Sequence, residues 1–247
     1  MTENRKRHFK AVSSFIIAGV FLIQIFLKIN NPSVQSYPIR GVDVSEYQGE
    51  IDWQTLSAQN IDFAFVKATE CSSYKDPYFE KNIEEAKRTD LRIGVYHFFS
   101  FESSGKTQAE NFCSQSVYCD GMLPPVCDVE YYGEHKSLTD EELIQVKDEL
   151  RTFVDIISKK YGVTPIIYAT QRSYSEIIGD DFDDCGLWLR SVYLRIPKNC
   201  GCTFWQYSDH GRLHGYSGEE KYIDLNVFCG SEEEWENYRR KNNNSVS

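Results

Sequence analysis

Apolar runs rich in β-forming residues alternate along this chain with longer stretches of helical character. Runs at 40–44, 61–67, 91–99, 125–130, 164–169, 186–192, 203–207 and 223–228 predict strands, and stretches at 78–89, 106–118 and 139–161 predict helices between them. The helix over 139–161 has its ends marked. Asp140, Glu141 and Glu142 suit the positive end of the helix dipole, Lys159 and Lys160 suit the negative end, and Gly162 is a stop signal. Strands separated by helices imply parallel βαβ units. The expected fold class is therefore α/β, an irregular (β/α) barrel of about eight strands. Few helical stretches are visible late in the chain, so helices are expected to be short or missing there. The barrel is expected over 41–240, with a disordered tail over 241–247.

The N-terminal segment follows neither pattern. Residues 11–27 are uniformly apolar and uncharged, with only Ser13, Ser14 and Gln24 polar. As a helix they would span about 26 Å, just short of a hydrocarbon core of about 30 Å. Arg5, Lys6, Arg7 and Lys10 precede them, and no small-x-small cleavage site follows. The reading is a cytoplasmic basic tail over 1–10, a transmembrane signal-anchor (or signal peptide) over 11–28 and a linker over 29–40. It puts the body at the extracellular face of a bacterial cell membrane, or secreted.

Composition sharpens this picture. The 247 residues are 41% hydrophobic and 14% aromatic, enough for a sizeable core, which excludes a disordered or fibrous chain. Residues 1–40 hold six of the 27 Lys and Arg but one of the 37 Asp and Glu, so the body is strongly acidic. No basic field exists to meet nucleic-acid phosphates. All eight cysteines lie in the body, where export permits disulfides of unassigned pairing. Cys200 and Cys202, followed by His210 and His214, match no strong metal spacing, and neither metal nor cofactor is expected.

The candidate chemistry sits where apolar strands end. Asp43, Lys67 with Glu70, Tyr96-His97, Asp128 with Glu130, Tyr168, Trp188, Gln206-Tyr207 and Asp224 all fall there. In a parallel barrel those ends converge on one pocket. Asp128 and Glu130 are two residues apart on one strand and so share a face, with backbones about 6.6 Å apart. Like charges in a cleft push one pKa up, and a carboxyl that keeps its proton can donate it to a leaving oxygen. An Asp-x-Glu at a strand end is also what two solvated acids look like. The aromatics Tyr47, Trp53, Tyr96, Tyr168, Trp188, Trp205 and Tyr207 lie near the same expected rim and together suit sugar rings, though each taken singly reads as core. His97 reads as a structural hydrogen-bonding residue.

These residues carry a resemblance. Gly41-Val42-Asp43-Val44-Ser45-Glu46-Tyr47-Gln48-Gly49 with Ile51-Asp52-Trp53, Phe65-Val66-Lys67-Ala68-Thr69-Glu70 and Gly94-Val95-Tyr96-His97-Phe98 resemble successive strand motifs of the glycoside hydrolase family 25 lysozymes, the Chalaropsis-type N-acetylmuramidases. Asp128-Val129-Glu130, Ile167-Tyr168-Ala169, Leu187-Trp188, Phe204-Trp205-Gln206-Tyr207 and Ile223-Asp224-Leu225-Asn226 continue the series in order. The resemblance implies cleavage of the β-1,4 bond between N-acetylmuramic acid and N-acetylglucosamine in peptidoglycan. It implies Glu130 as general acid, Asp128 as the partner that orients the substrate's acetamido group, and Asp43 and Asp224 as further cleft acids, with retention by substrate assistance or an inverting route. Tyr47, Glu70, Tyr96, Tyr168, Trp188 and Gln206 are the expected glycan-binding residues of a monomeric catalytic body.

Two positions depart from the family pattern. Cys71 stands where the motif usually has Gly, in a turn that would need positive φ, and Arg190 stands where a small residue is usual. The alternatives are a catalytically silent wall-glycan binder, disfavoured by the presence of all four acids, and a chitin-type barrel hydrolase. The latter's longer acidic motif is missing from Leu123-Pro124-Pro125-Val126-Cys127.

Overall fold

The computed structural model describes residues 33–244 apart from 116, 117, 120, 198 and 199. The expected basic tail and membrane segment lie outside the described residues. Among the described residues no helix is long and apolar enough to cross a membrane.

The strands are β1 (Arg40–Val44), β2 (Phe63–Glu70), β3 (Tyr74–Lys75), β4 (Arg92–Phe98), β5 (Val126–Val129), β6 (Ile166–Thr170), β7 (Gly186–Arg190), β8 (Phe204–Gly211) and β9 (Ile223–Phe228). All but β3 form a closed ring, because β1 pairs with both β2 and β9. β3 is a two-residue appendage, antiparallel to β2. The barrel of eight strands is as expected, but it is not wholly parallel: β9 runs antiparallel to both β8 and β1. A parallel pair needs a crossover, usually a helix. Residues 212–222 form none, so the chain turns back as a long hairpin.

The helices are α1 (Trp53–Ser57), α2 (Phe79–Ala86), α3 (Gly105–Gln115), α4 (Asp140–Tyr161) and α5 (Glu232–Asn244). Irregular helical turns over 171–182 follow β6, and among the described residues no helix joins β7 to β8. α4 starts and stops where its signals lie. The Thr139 hydroxyl accepts from the Glu142 N–H, the Glu142 carboxylate accepts from the Thr139 N–H, and Gly162 closes the helix at φ 69°. α5 continues into the stretch read as a disordered tail; 245–247 lie outside the described residues.

Strand alternation builds two cores. Val42, Ala64, Val66, Val95, Val129 and Ala169 face outward and pack with Phe112, Leu150, Phe153 and Ile157 of α3 and α4. Phe63, Phe65, Trp188 and Phe204 face inward and plug the lower barrel. A Cβ at Gly94 would lie 2.4 Å from the Phe65 ring, so the missing side chain is what lets Phe65 lie across the floor and stack on Trp188 at 4.4 Å. Above this apolar plug, inward positions near the strand C-termini turn polar. Cys200 and Cys202 are disulfide-bonded, while Cys71, Cys113, Cys119, Cys127, Cys185 and Cys229 are free thiols.

Candidate active site

The polar inward residues share one cleft of about 580 Å³ at the C-terminal mouth of the barrel. Asp43, Tyr47, Glu70, Tyr96, Asp128, Glu130, Tyr168, Trp188, Gln206 and Asp224 all line it. Their depth differs. Tyr96, Tyr168, Trp188 and Gln206 are buried in its floor, whereas Tyr47 is 54% exposed at its edge.

The floor is a continuous hydrogen-bonded chain. The Tyr168 hydroxyl donates to Gln206 Oε1 at 2.9 Å, and Gln206 Nε2 donates to Asp43 at 3.0 Å and to Asp224 at 3.1 Å. Asn226 Nδ2 donates to the same Asp43 oxygen at 2.7 Å, and Trp188 Nε1 donates to Asn226 Oδ1 at 2.8 Å. Two amide donors converge on Asp43, oriented by Tyr168 and Trp188, so the network stabilises its carboxylate against the burial that pushes its pKa up. Asp224 has fewer donors. Burial first, then the charges of Asp43 and Asp209, push its pKa up to about 9, so it holds a proton that Asp43 accepts.

Asp128, the penultimate residue of β5, faces inward, and Glu130 stands one residue beyond the strand. Both are pushed above the usual carboxylate range. For Asp128 the first cause is burial and the second is the charge of Glu130. For Glu130 burial again leads, opposed by the nearby cations Arg190 and Lys67. Asp128 Oδ1 is buried and accepts no hydrogen bond from the described residues. A carboxylate oxygen left this way is costly unless a donor arrives.

Two ion pairs frame the acids. Lys67 Nζ lies 2.7 Å from Glu70, and Arg190 Nη2 lies 2.6 Å from Asp209. Glu70 is held by its loop. Cys71, immediately after it, sits at φ 42°, the left-handed region expected of that turn. Asn111 Nδ2 on α3 lies within 3.3 Å of the carbonyl oxygens of Glu70, Cys71 and Tyr74 and pins the loop.

Some expected rim aromatics are elsewhere. Trp53 is buried on α1 and donates to Asn82 Oδ1. Trp205 alternates with the inward Gln206, so it faces outward, donating to the Ser191 carbonyl and packing on Tyr37. Tyr207, two residues on, shares that outward side with Trp205. His97 also points away from the cleft, between Thr69 and Gln108, and burial pushes its pKa down to about 4. That is the structural role read for it.

The cleft also takes residues the sequence reading passed over: Ser45 and Gln48 after β1, Tyr132 after β5, Asp209 and His210 on the extension of β8, and Glu220 and Tyr222 before β9. The only signal for the β8 group was the polar run Ser208-Asp209-His210 directly following an apolar strand. Buried carboxyls with raised pKa, open to a groove with exposed aromatic edges, have what proton transfer to a glycosidic oxygen requires.

Comparison with known proteins agrees with this arrangement. The family model described as Glycosyl hydrolases family 25 matches residues 42–216. The solved structure of a family 25 glycosyl hydrolase from Bacillus anthracis superimposes with a TM-score of 0.75 at 46% identity, covering 85% of this chain and 97% of that one. The uncharacterized protein YegX of Escherichia coli O6:H1 is 35% identical over 210 residues, 82% of this chain and 74% of that protein. Lysozyme M1 of Streptomyces globisporus is 29% identical over 204 residues, 78% of this chain and 68% of its own length. With its barrel, its cleft acids and a family match over most of the body, the chain belongs to glycosyl hydrolases family 25.

Proposed function

We propose that this glycoside hydrolase is a peptidoglycan N-acetylmuramidase, cleaving the β-1,4 bond between N-acetylmuramic acid and N-acetylglucosamine. The observation that carries this reading is the Asp128–Glu130 pair: two neighbouring carboxyls with raised pKa in an open cleft of about 580 Å³ lined by aromatic and polar side chains. The relative from Streptomyces globisporus is named a lysozyme, which supports the same substrate.

In the proposed mechanism the acetamido N–H arriving on Asp128 Oδ1 favours the Asp128 carboxylate, so the proton of the pair passes to Glu130, which donates it to the glycosidic oxygen as the C1–O bond breaks. The substrate's acetamido oxygen closes on C1 from the other face. Asp128 accepts the acetamido N–H on its unpartnered oxygen and offsets the positive charge of the cyclic intermediate. Glu130, now a carboxylate, takes a proton from the water that opens the ring, so the product retains its configuration. Asp43, fixed by Asn226 and Gln206, supplies a standing negative charge under the sugar, and Asp224 holds the shared proton. Tyr47, Glu70, Tyr96, Tyr168, Trp188 and Gln206 form the glycan-contacting walls and floor. The apolar segment over 11–28 would export the body and hold it at the membrane.

Mass spectrometry of muropeptides after digestion of purified peptidoglycan tests this reading. Products ending in reducing N-acetylmuramic acid with retained β configuration are expected. Products ending in reducing N-acetylglucosamine, or none, would sink it.

A further inference from the structure

The proposed substrate poses an electrostatic problem for this cleft, and the inference drawn from it rests on the muramidase reading. Each muramic acid carries a lactyl ether whose carboxyl is free on a stripped strand. On an intact strand it is extended by a stem peptide that bears carboxylates of its own. The cleft facing that substrate is lined by Asp43, Glu70, Asp128, Glu130, Asp209 and Asp224. A field of that sign repels an anionic glycan unless a cation receives it.

Two cations at strand C-termini act on the cleft acids, Lys67 in the cleft lining and Arg190 bonded to the lining residue Asp209. Lys67 is 8% exposed at its side chain and committed to Glu70 at 2.7 Å. Arg190 differs. It ends β7 two residues beyond the inward-facing Trp188, so it points to the same side, and its side chain is 30% exposed. Its partner Asp209 lines the cleft, and its charge is felt at Asp43, Glu130 and Asp224. Nη2 is braced by Asp209 Oδ2, whereas Nε and Nη1 have no protein acceptor among the described residues. Asp209 is itself divided, because its other oxygen contacts His210 Nδ1. Asp209 takes one Nη2 hydrogen, which leaves the other, with Nε or Nη1 beside it, as a planar fork that matches a carboxylate. This is also the position at which the family resemblance leads one to expect a small residue.

We infer that Arg190 is a specificity-determining residue that receives a carboxylate of the peptidoglycan strand, with Asp209 holding the guanidinium in place. The carboxylate is that of the lactyl group or of the stem peptide.

The test compares the full-length chain with Arg190→Gln on two pairs of substrates. These are stripped glycan strands and stem-bearing strands, each with carboxylates free or converted to amides. The readout is the ratio of kcat/KM for the free and amidated members of a pair, so a general effect of the lost charge on the cleft acids cancels. The wild-type ratio is expected to exceed about ten, and Arg190→Gln should bring it close to one, mainly by raising KM on the free acid about 10- to 100-fold. Collapse on the stripped pair assigns the lactyl carboxylate, and collapse on the stem-bearing pair alone assigns the peptide. An unchanged ratio on both pairs, or an equal loss on free and amidated substrates, overturns the inference while leaving the muramidase reading intact. If the wild-type chain cleaves none of the four, both fall together. Arg190→Lys keeps the charge and loses the fork. It should give a partial collapse, and it carries the same comparison if Arg190→Gln does not fold.

Discussion

Asp43 and Asp224 stand opposite each other in the β1–β9 register and share one amide nitrogen, Gln206 Nε2, at 3.0 and 3.1 Å. Asn226 Nδ2 gives Asp43 a second donor, whereas Asp224 has only the shared one among the described residues, so the less served carboxyl keeps a proton. That one is Asp224, pushed up to about 9. Between the unfolded value of 3.8 and about 9 the folded chain therefore binds more protons at this site than the unfolded chain. By linkage its contribution to stability is complete below the unfolded pKa and is lost as pH rises through the folded one. Asp224→Asn removes that slope. Thermal melts from pH 5 to pH 9 should show the variant gaining on the wild type as pH rises, by at most about 1.4 kcal/mol per pH unit. A difference that stays flat or moves the other way would show that the proton sits elsewhere.

Glu130 stands just past the end of β5, so it can be changed with little effect on packing. Glu130→Gln keeps the shape and loses the proton. Release of reducing ends from purified peptidoglycan should fall about 10²–10⁴-fold, with an unchanged melting temperature. Asp128→Asn should also cut activity under the proposed mechanism, because a neutral amide cannot offset the positive charge that mechanism places on the substrate. Near-normal turnover in Glu130→Gln would show that another group supplies the proton.

Lys67 lies against Glu70 and acts on both members of the acid pair, holding each below where burial alone would put it. Lys67→Met keeps the bulk and removes the charge. The carboxyls should then keep their protons to higher pH, moving the alkaline limb of the kcat profile upward. A pH–rate series on the two proteins reads this directly, and a downward shift would contradict the assigned sign.

Much of this was legible in the sequence, for identifiable physical reasons. Burial on both faces makes parallel strands read as apolar runs, so the strand ends and the acids beyond them stand out. The ends of α4 were legible because caps are local chemistry: Thr139, Glu142 and Gly162 act on backbone groups within a few residues. What escaped depends on distant contacts. Nothing in the side-chain period of 223–228 encodes that β9 runs backwards; the lack of a helix over 212–222 decides it. Which way Trp205 faces follows from the register of Gln206, not from its aromatic character. α5 is rich in charge and lacks a clear apolar stripe. It is fastened by Trp235, whose ring lies 5.7 Å from Phe63 under the barrel and 5.3 Å from the Arg92 guanidinium, and by Tyr238, whose ring lies 5.5 Å from Phe228.

Cys71 joins sequence and strain most directly. Its φ of 42° lies in the region that L side chains avoid, at a cost of about 1–2 kcal/mol. The turn tolerates it because Asn111 clamps the neighbouring carbonyls and the β2–β3 pairing of Glu70 with Tyr74 closes the loop. Cys71→Gly removes the Cβ penalty but adds freedom to the unfolded chain, which returns about 0.5–1 kcal/mol of the gain. The net expectation is stabilisation of about 0.5–1 kcal/mol, seen as a melting temperature higher by a few degrees at most. Glu70 keeps its backbone position, so KM for peptidoglycan should not change. A destabilised Cys71→Gly would mean that the thiol's own packing outweighs the strain, and a changed KM would mean that the turn sets where Glu70 meets the glycan.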